Sequence, residues 1–357
     1  MYYKKTGNTE EEVLSMKQFV GYIKGINLGG WLSQCTPSKE HYDTFITESD
    51  IERISTWGLD HVRLPVDYEL VERDINDYIE EGFKYIDLCL EWCKKYGLNM
   101  ILDLHKTAGY SFDESETSTS FFKSEKLQNR FIELWKEFAK RYGKYSDRLS
   151  FEILNEIVDT DVAQIWNGIA KRAIQAIREY APDINILIGG VRNNAIFSLK
   201  MLDMPYDEHI VYNFHFYEPT VFTHQSAYWV KEMPLDFSIS YPNEFAEILS
   251  ATKQFLPAQH SEIFANISLD KMDKNFFDIL FSEAVRIAEE RNTTLYCGEY
   301  GVIDKAELSS TLNWYSDINS TFNKYGIGRS AWTYKDKDFG VIDEHYKQIF
   351  DDLIKLL

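Results

Sequence analysis

The sequence predicts an α/β fold, a (β/α)8 TIM barrel with a small inserted subdomain after the sixth strand. Three observations support this prediction. Strand-like apolar runs alternate with amphipathic helical stretches, which is typical of a parallel sheet built from βαβ units. Eight such runs can be counted, and eight parallel strands can close into a barrel. Polar side chains stand at the ends of these runs, where the active sites of barrels lie.

The eight predicted strands begin near Tyr22, Leu59, Asn99, Leu149, Ile184, Ile210, Thr294 and Gly328. An open, doubly wound sheet is the alternative architecture. In that fold the phosphate-binding pattern G-x-G-x-x-G follows the first strand. The chain instead reads Gly25-Ile-Asn-Leu-Gly-Gly30 at this point, so the closed barrel is favoured.

Local signals mark the predicted helices. Thr47-Glu-Ser-Asp50 combines an N-cap residue with a carboxylate three positions later, and Gly58 ends the helix that it begins. Gly97 ends a second helix, over 82–96, whose apolar residues share one stripe. Further helices are predicted over 128–142, 162–180 and 271–291. Every strand except the last is therefore expected to lead into a helix.

The connection after the sixth strand is too long for a simple barrel. About 50 residues separate Tyr217 from the helix near Lys271, against roughly 2–6 in an ordinary connection. This insert, at about 220–268, is rich in aromatic residues, among them Phe222, Tyr228, Trp229, Phe237 and Tyr241. It is predicted to fold over the mouth of the barrel, either as a stabilising cap or as a wall of a binding cleft.

Residues 21–357 are expected to form one domain, since α/β barrels with insertions commonly exceed about 250 residues. Residues 1–20 are polar and are predicted to be a flexible N-terminal segment. They contain Lys4 and Lys5 but no apolar run, so no secretory signal is predicted. A cytoplasmic location is expected for the chain as given, and secretion if a leader has been removed.

Composition excludes several classes of partner. The net charge of −19 argues against binding to nucleic acid, which requires clustered Lys and Arg. No run approaches about 18 apolar residues, so no membrane span is predicted. The four cysteines lack disulfide or metal-site spacing, and no His pair has ligand spacing. Buried thiols are expected, with no metal and no cofactor.

Polar residues at the strand ends form the candidate site. Asn155 and Glu156 follow the fourth strand, and Glu299 ends the seventh. A buried carboxylate is strongly unfavourable unless it has a partner or a chemical task. The other polar or aromatic residues at strand ends are Arg63, His105, His215, Tyr217 and Trp332. All are expected to converge on one cleft, although Arg63 alone would also suit a barrel ion pair and each His a buried interior position.

Two carboxylates at one site can divide acid/base work if their environments separate their pKa values. Glycoside hydrolysis needs this arrangement, and its retaining form places the two groups about 5–5.5 Å apart. In this interpretation Arg63 keeps the nucleophile ionised and Tyr217 orients it by a hydrogen bond. Asn155 would bind a sugar 2-hydroxyl, and Trp332 would form an apolar floor for the ring.

Several segments resemble glycoside hydrolase family 5, a family of clan A retaining glycosidases with a (β/α)8 barrel. They are Arg63-Leu-Pro, Leu102-Asp-Leu-His, Leu154-Asn-Glu, Asn213-Phe-His-Phe-Tyr, Cys297-Gly-Glu-Tyr-Gly and Ala331-Trp-Thr-Tyr-Lys. The resemblance runs from Lys24 to the C-terminus and is closest to compact bacterial endoglucanases of the cellulase C type. The chain has His105-Lys-Thr-Ala-Gly109 where members often have His-x-x-Pro-Gly, so the shape of that loop is expected to differ.

The resemblance implies that Glu156 is the acid/base and Glu299 the nucleophile of a retaining endo-β-1,4-glucanase acting on cellulose or mixed-linkage β-glucan. It also implies that Arg63, His105, Asn155, His215, Tyr217 and Trp332 complete the site. Further substrate contacts are predicted on loops near the barrel mouth, at Asn27, Trp31, Tyr110, Asn194 and Trp229. Cys297 is expected to point inward below Glu299.

Other functions remain open. The family also includes β-mannanases, β-1,3-glucanases, xyloglucanases and enzymes specific for oligosaccharides. A non-catalytic carbohydrate-binding barrel would have lost a carboxylate or Arg63, and none is lost. A metal-dependent hydrolase would need a set of His and Asp ligands at strand ends. The expected partner is a β-glucan polymer or oligosaccharide, and the expected state is a monomer.

Overall fold

Eight parallel strands close on themselves in the computed structural model, which describes residues 16–113 and 119–357. They are β1 (Lys24–Asn27), β2 (His61–Asp67), β3 (Asn99–Lys106), β4 (Leu149–Glu152), β5 (Asn185–Gly189), β6 (Ile210–Phe216), β7 (Thr294–Tyr300) and β8 (Gly328–Ala331). Each strand pairs with its neighbours in sequence, and β1 closes the ring against β8. The predicted (β/α)8 barrel is therefore confirmed.

Helices surround the strands. The α-helices of four or more turns are Glu80–Tyr96, Glu125–Tyr142, Ala163–Arg178, Lys274–Glu290 and Leu308–Tyr325. Shorter ones are Lys39–Thr44, Glu48–Ser55, Tyr68–Val71, Thr220–Thr223, Phe245–Phe255 and Phe350–Leu356. The capping box of Thr47 and Asp50 is present, and Gly97 ends its helix with a φ of 74°.

The connection from β5 to β6 differs from the prediction. It holds only the turn Val191–Asn194 and a 3-10 helix, Ile196–Met201, instead of a long α-helix. Arg192 and Asn193 have φ values of 54° and 55° inside the turn. A helix cannot continue through left-handed residues of this kind, so the chain turns over the top of the barrel.

The end of the barrel where the strands begin is filled by apolar and aromatic side chains. Phe19, Tyr22 and Tyr296 form its aromatic part, and Phe19 stacks on Tyr22 with ring centroids 4.3 Å apart. Lys17 also pairs with Thr294. The prediction of a flexible segment over residues 1–20 is therefore wrong for residues 16–20, because Phe19 is buried in the fold. Residues 1–15 of that predicted segment lie outside the described residues.

The segment at about 220–268 contains short elements of its own. Besides two helices it has the 3-10 helix Ala258–Phe264 and the strand Asn243–Glu244, which pairs with Lys271–Met272. Some of its aromatic residues are buried and others are exposed. Tyr241 is buried and stacks on Phe277 at 6.0 Å, whereas Tyr228 and Trp229 are 74% and 42% exposed.

Cys297 is buried, but it does not point into the barrel. Its neighbour Tyr296 belongs to the barrel interior, and side chains alternate between the two faces of a strand, so Cys297 packs toward the helices. An irregularity in pairing between Cys297 and Glu299 then returns Glu299 to the inside. The expectation for Cys297 is wrong because this bulge shifts the alternation.

All four cysteines are free. Within 16–113 and 119–357, no helix is long and apolar enough to cross a membrane.

Candidate active site

Arg63 is the centre of the polar cluster in the barrel. It lies in β2 and is fully buried. Its Nε and Nη2 donate to the two oxygens of Glu152 at 2.7 and 2.8 Å, and Nη1 donates to Glu299 Oε1 at 2.8 Å. Nη2 also lies 3.0 Å from an Asp103 oxygen. The barrel ion pair and the catalytic role suggested for Arg63 are therefore compatible, because one guanidinium holds carboxylates of three strands.

Glu299 is the carboxylate at the end of β7. Its Oε1 accepts from Arg63, and its Oε2 accepts from the Tyr217 hydroxyl at 2.9 Å. Burial and the negative charge of Glu299 hold the pKa of Tyr217 well above its usual range, so the phenol stays protonated and donates. Both oxygens of Glu299 therefore have a donor, which fixes the orientation of the carboxyl group in the barrel.

Glu156 faces Glu299 from the loop after β4. His215 Nδ1 lies 2.8 Å from Glu156 Oε1 and 3.5 Å from Glu299 Oε2, so one imidazole stands between the two carboxyl groups. Burial lowers the pKa of His215 to about 4, which leaves the ring neutral at neutral pH. Burial raises the pKa of Glu156, and its side-chain partners among the described residues are Asn193 and His215, neither of them a lysine or an arginine. The two carboxyl groups thus have opposite surroundings.

The spacing of the two carboxyl groups decides what chemistry they support. One oxygen of Glu156, one of Glu299 and one nitrogen of His215 all lie within 4.8 Å of one another. Inverting glycosidases leave about 6.5–9.5 Å between the groups for a water molecule, whereas retaining enzymes leave only about 5–5.5 Å. The arrangement is close enough for direct attack on a sugar carbon by one carboxylate and protonation by the other.

Trp332, directly after β8, and His105, near the end of β3, stack on each other. Their rings are parallel, with an interplanar angle of 3° and centroids 5.8 Å apart. His105 Nδ1 lies 2.6 Å from Asp103, and burial lowers the pKa of His105 to about 4. A β-carbon at Gly29 would lie 2.8 Å from the Trp332 ring, so a glycine is needed for the ring to sit here.

Asn155 also belongs to the cluster. Its Oδ1 accepts from Arg63 Nη2 at 2.8 Å. Because the oxygen is engaged on the barrel side, the Nδ2 donors of the planar amide point away from Arg63. The orientation suits an amide that donates to a ligand hydroxyl.

Comparison with known proteins agrees with this geometry. Residues 22–338 match the model of the family described as cellulase, glycosyl hydrolase family 5. The chain belongs to glycosyl hydrolase family 5. Cellodextrinase A of Ruminococcus flavefaciens is 44% identical over 311 residues, which cover 87% of this chain and 85% of that protein. Endoglucanase C of Acetivibrio thermocellus is 42% identical over 342 residues, which cover 95% and 98% of the two chains.

Solved structures give the same result for the fold. The endoglucanase Cel5A of Thermotoga maritima superposes with a TM-score of 0.74 at 25% identity, and the match covers 94% of this chain and 97% of that one. The family 5 resemblance expected from the strand-end segments is therefore confirmed.

Sequence reasoning missed several residues of this family 5 site. Glu152 and Asp103 are fully buried on Arg63, and Asn213 Nδ2 donates to Glu152 at 2.8 Å. Burial raises the pKa of Glu152 and of Asp103, and Arg63 opposes the rise in both. A signal was available for Asp103, since it lies two residues before His105 and so faces the same side of β3.

The structure places the five predicted peripheral substrate contacts in different surroundings. Asn27 is buried beneath the site, where its Oδ1 accepts from Arg63 and its Nδ2 donates to Gly298 at 2.9 Å. Asn194 is also buried, 3.4 Å from His215 Nε2. Asn27 is held against Arg63 and Asn194 lies against His215, so both residues are buried supports of the site.

Tyr110 supports the loop that carries Glu156. Gly109, with a φ of 81°, turns the chain so that Tyr110 pairs with Thr107. The Tyr110 hydroxyl donates to the Glu156 carbonyl at 2.7 Å and accepts from the Val158 N–H at 2.9 Å. The predicted substrate contact at Tyr110 is wrong because its polar group is buried in this brace.

The predicted substrate contact at Trp31 is also wrong. Its side chain is fully buried, its Nε1 donates to the Tyr42 carbonyl at 2.9 Å, and its ring stacks on Trp92 at 6.0 Å. Only Trp229, in the segment at about 220–268, is substantially exposed among these five peripheral residues.

Replacing Trp31 by Ala is expected to lower the free energy of unfolding by about 3–5 kcal/mol, the usual cost of emptying a buried Trp site. Urea denaturation would measure this loss, and KM of the folded enzyme should not change. Trp229→Ala is the matched control, because an exposed ring contributes little to stability. Equal stability of W31A and the wild type would contradict a purely structural role for Trp31.

Proposed function

We propose that this protein is a retaining endo-β-1,4-glucanase that hydrolyses cellulose-like or mixed-linkage β-glucans by double displacement. The single observation that carries the proposal is the approach of Glu156 and Glu299 to within 4.8 Å, with opposite electrostatic surroundings. That spacing leaves no room for a water molecule to attack in the first step. A covalent intermediate on one carboxylate is the alternative that the geometry supports.

Glu299 is the proposed nucleophile. Arg63 and Tyr217 donate to its two oxygens, so its carboxyl group is held in one orientation. In the first step it bonds to the anomeric carbon while the bond from that carbon to the glycosidic oxygen breaks. The departing sugar chain leaves with the proton of Glu156.

Glu156 is the proposed acid/base. Burial raises its pKa, so a larger fraction is protonated and ready to act as an acid. In the second step the Glu156 carboxylate removes a proton from water. The water oxygen bonds to the anomeric carbon, the ester bond to Glu299 breaks, and the product keeps the β configuration.

The substrate class is proposed from the relatives and from the cleft. The names of the two relatives refer to an endoglucanase and a cellodextrinase. Trp332, beside the carboxylates, offers an apolar face for a sugar ring, and Asn155 offers amide donors for a hydroxyl group. β-1,4-linked glucose fits both the names and these contacts.

The segment at about 220–268 is proposed to be a small subdomain that forms one side of the substrate-binding cleft. His224 packs edge-on against Tyr217 at 5.0 Å, and Trp229 packs edge-on against His224 at 6.2 Å. A chain of rings therefore leads from the residue that orients Glu299 to the exposed pair Tyr228 and Trp229. We propose that these two rings contact sugar units beyond the cleaved bond.

We also propose that the enzyme works as a monomer without a metal ion. Glu156, His215 and Glu299 lie within ligand reach of one another, although no metal-ligand set is predicted from the sequence. Their facing atoms already bind each other, Arg63 or Tyr217, and the Arg63 cation opposes a second positive charge. Activity after treatment with a chelator should equal that of the untreated enzyme.

The test is reducing-sugar release from barley β-glucan, carboxymethylcellulose, β-1,3-glucan and mannan, together with turnover of cello-oligosaccharides. Hydrolysis of the two β-1,4-containing glucans, with a rapid fall in viscosity, is expected. Hydrolysis of cello-oligosaccharides alone would replace the endoglucanase by an oligosaccharide-specific enzyme. Preference for mannan or β-1,3-glucan would overturn the substrate, and absence of all activity would overturn the enzyme.

A further inference from the structure

Three consecutive residues beside Glu156 have an uncommon backbone conformation. Arg192, Asn193 and Asn194 have φ values of 54°, 55° and 54°, in the left-handed region that non-glycine residues rarely occupy. Conformations of this kind persist only where the surroundings hold them, and they cluster at functional sites. The segment lies in the connection from β5 to β6, above the ends of the barrel strands.

Contacts from other loops hold this segment in place. The Asn193 N–H donates to the Ile157 carbonyl at 3.0 Å, which ties the segment to the residue after Glu156. Arg192 donates to Thr160 Oγ1 at 3.1 Å and to Glu262 at 2.6 Å. Glu262 belongs to the inserted segment, so the insert and the loop after β4 both fix the turn.

The side chains of the turn point at the acid/base. Asn193 Nδ2 donates to Glu156 Oε2 at 2.8 Å, and Asn194 Nδ2 lies 3.4 Å from His215 Nε2. Since His215 Nδ1 binds the other oxygen, Oε1, both oxygens of Glu156 have a partner. The carboxyl group can therefore neither rotate nor slide without losing a hydrogen bond.

We propose that Asn193 is a positioning residue for the acid/base step: its amide fixes Glu156 Oε2 and stabilises the ionised form that activates water in the second step. This role rests on the proposed function of Glu156. The left-handed backbone orients the Asn193 amide, because in that conformation the short side chain reaches Glu156 in the loop after β4. Asn tolerates this conformation better than most residues, which explains the residue type.

The role predicts a change in pH dependence. A donor to a carboxylate favours its charged form, so removing the Asn193 amide raises the pKa of Glu156. Activity that requires protonated Glu156 is lost as the pH rises through that pKa, so the basic limb of kcat/KM moves to higher pH. The other titratable and charged groups that face Glu156 are His215, Glu299, His105, Asp103, Arg63, Tyr110 and Tyr217. All of these are unchanged in the variant.

The test is Asn193→Gly, because Gly keeps the left-handed backbone and removes only the amide. The basic limb on 4-nitrophenyl β-cellobioside is expected to move up by about 1–2 pH units, as for loss of one hydrogen bond to a charged group. On cellotetraose, kcat/KM should fall about 10-fold, a part of the 10²–10⁴ that acid catalysis contributes. On 2,4-dinitrophenyl β-cellobioside it should change less than about twofold, because that leaving group departs without a proton.

Asn292→Gly is the matched control. Asn292 has a φ of 52° and lies just before β7, at the opposite end of the barrel from Glu156. Its removal should change none of the three measurements. An unmoved basic limb in N193G, or equal losses on all three substrates, would overturn the role of Asn193 and leave a structural one.

Glu156→Gln, measured in parallel, separates this result from failure of the proposed function. If the basic limb is lost in E156Q but unmoved in N193G, only the role of Asn193 is wrong. If E156Q retains the wild-type basic limb, Glu156 is not the titrating group, and the proposed function is overturned with it.

Discussion

Replacing Glu299 by Ala is expected to reduce kcat on β-1,4-glucans by on the order of 10⁴- to 10⁶-fold, as in other enzymes that lose a covalent nucleophile. The loss should be similar on activated aryl cellobiosides, because no leaving group substitutes for the missing bond to the anomeric carbon. The fold should survive, since Arg63 keeps Glu152 and Asp103 as partners. Circular dichroism and binding of cellobiose would check that the protein is intact.

Sodium azide provides the sharper measurement. With Glu299 truncated, azide can enter the space it leaves and attack the anomeric carbon from the same face. One displacement then converts 2,4-dinitrophenyl β-cellobioside into α-cellobiosyl azide. Glu72→Gln is the matched control, because Glu72 is also buried on an arginine, with Arg130 Nε 2.9 Å away, but makes no contact with Glu156 or Glu299 among the described residues. Substantial activity of E299A without azide would contradict the assignment of Glu299.

The barrel could be predicted because its signals are local. Thr47 and Asp50 mark one helix start and Gly97 one helix end within a few residues of sequence, and both are observed. The carboxylates could be found for a similar reason. A carboxylate at or just after the end of a buried apolar strand, such as Glu299 or Glu156, carries a charge that needs a partner or a task, whatever lies elsewhere in the chain.

Features that depend on distant parts of the chain could not be predicted. Asn193 contacts Glu156 because three consecutive residues adopt a left-handed backbone conformation, and no sequence motif around them predicts it. Cys297 faces the helices because a bulge displaces Glu299 by one position. Trp31 follows the end of β1, where a side chain can face either the barrel mouth or the surrounding helices. It faces the helices because its ring stacks on Trp92 and its Nε1 donates to the Tyr42 carbonyl.

Replacing Glu156 by Ala is expected to give a result that depends on the leaving group. Hydrolysis of cello-oligosaccharides should slow by about 10²–10⁴-fold, the usual contribution of a general acid. Formation of the intermediate from 2,4-dinitrophenyl β-cellobioside should be almost unaffected, because dinitrophenolate leaves without a proton. The second step still needs a base, so the intermediate should accumulate and produce a burst of dinitrophenolate. The basic limb of the pH profile should disappear with the group that titrates.

Azide distinguishes the two carboxylates in one experiment because it reacts at different stages in the two variants. In E156A the nucleophile is intact, so azide, which needs no base, attacks the Glu299 ester from the opposite face. Two displacements at the anomeric carbon then yield β-cellobiosyl azide, whereas E299A yields the α anomer after one. Proton NMR of the anomeric hydrogen identifies each product. The α anomer from E156A would exchange the two roles, and with them the meaning of the Arg63, Tyr217 and Asn193 contacts.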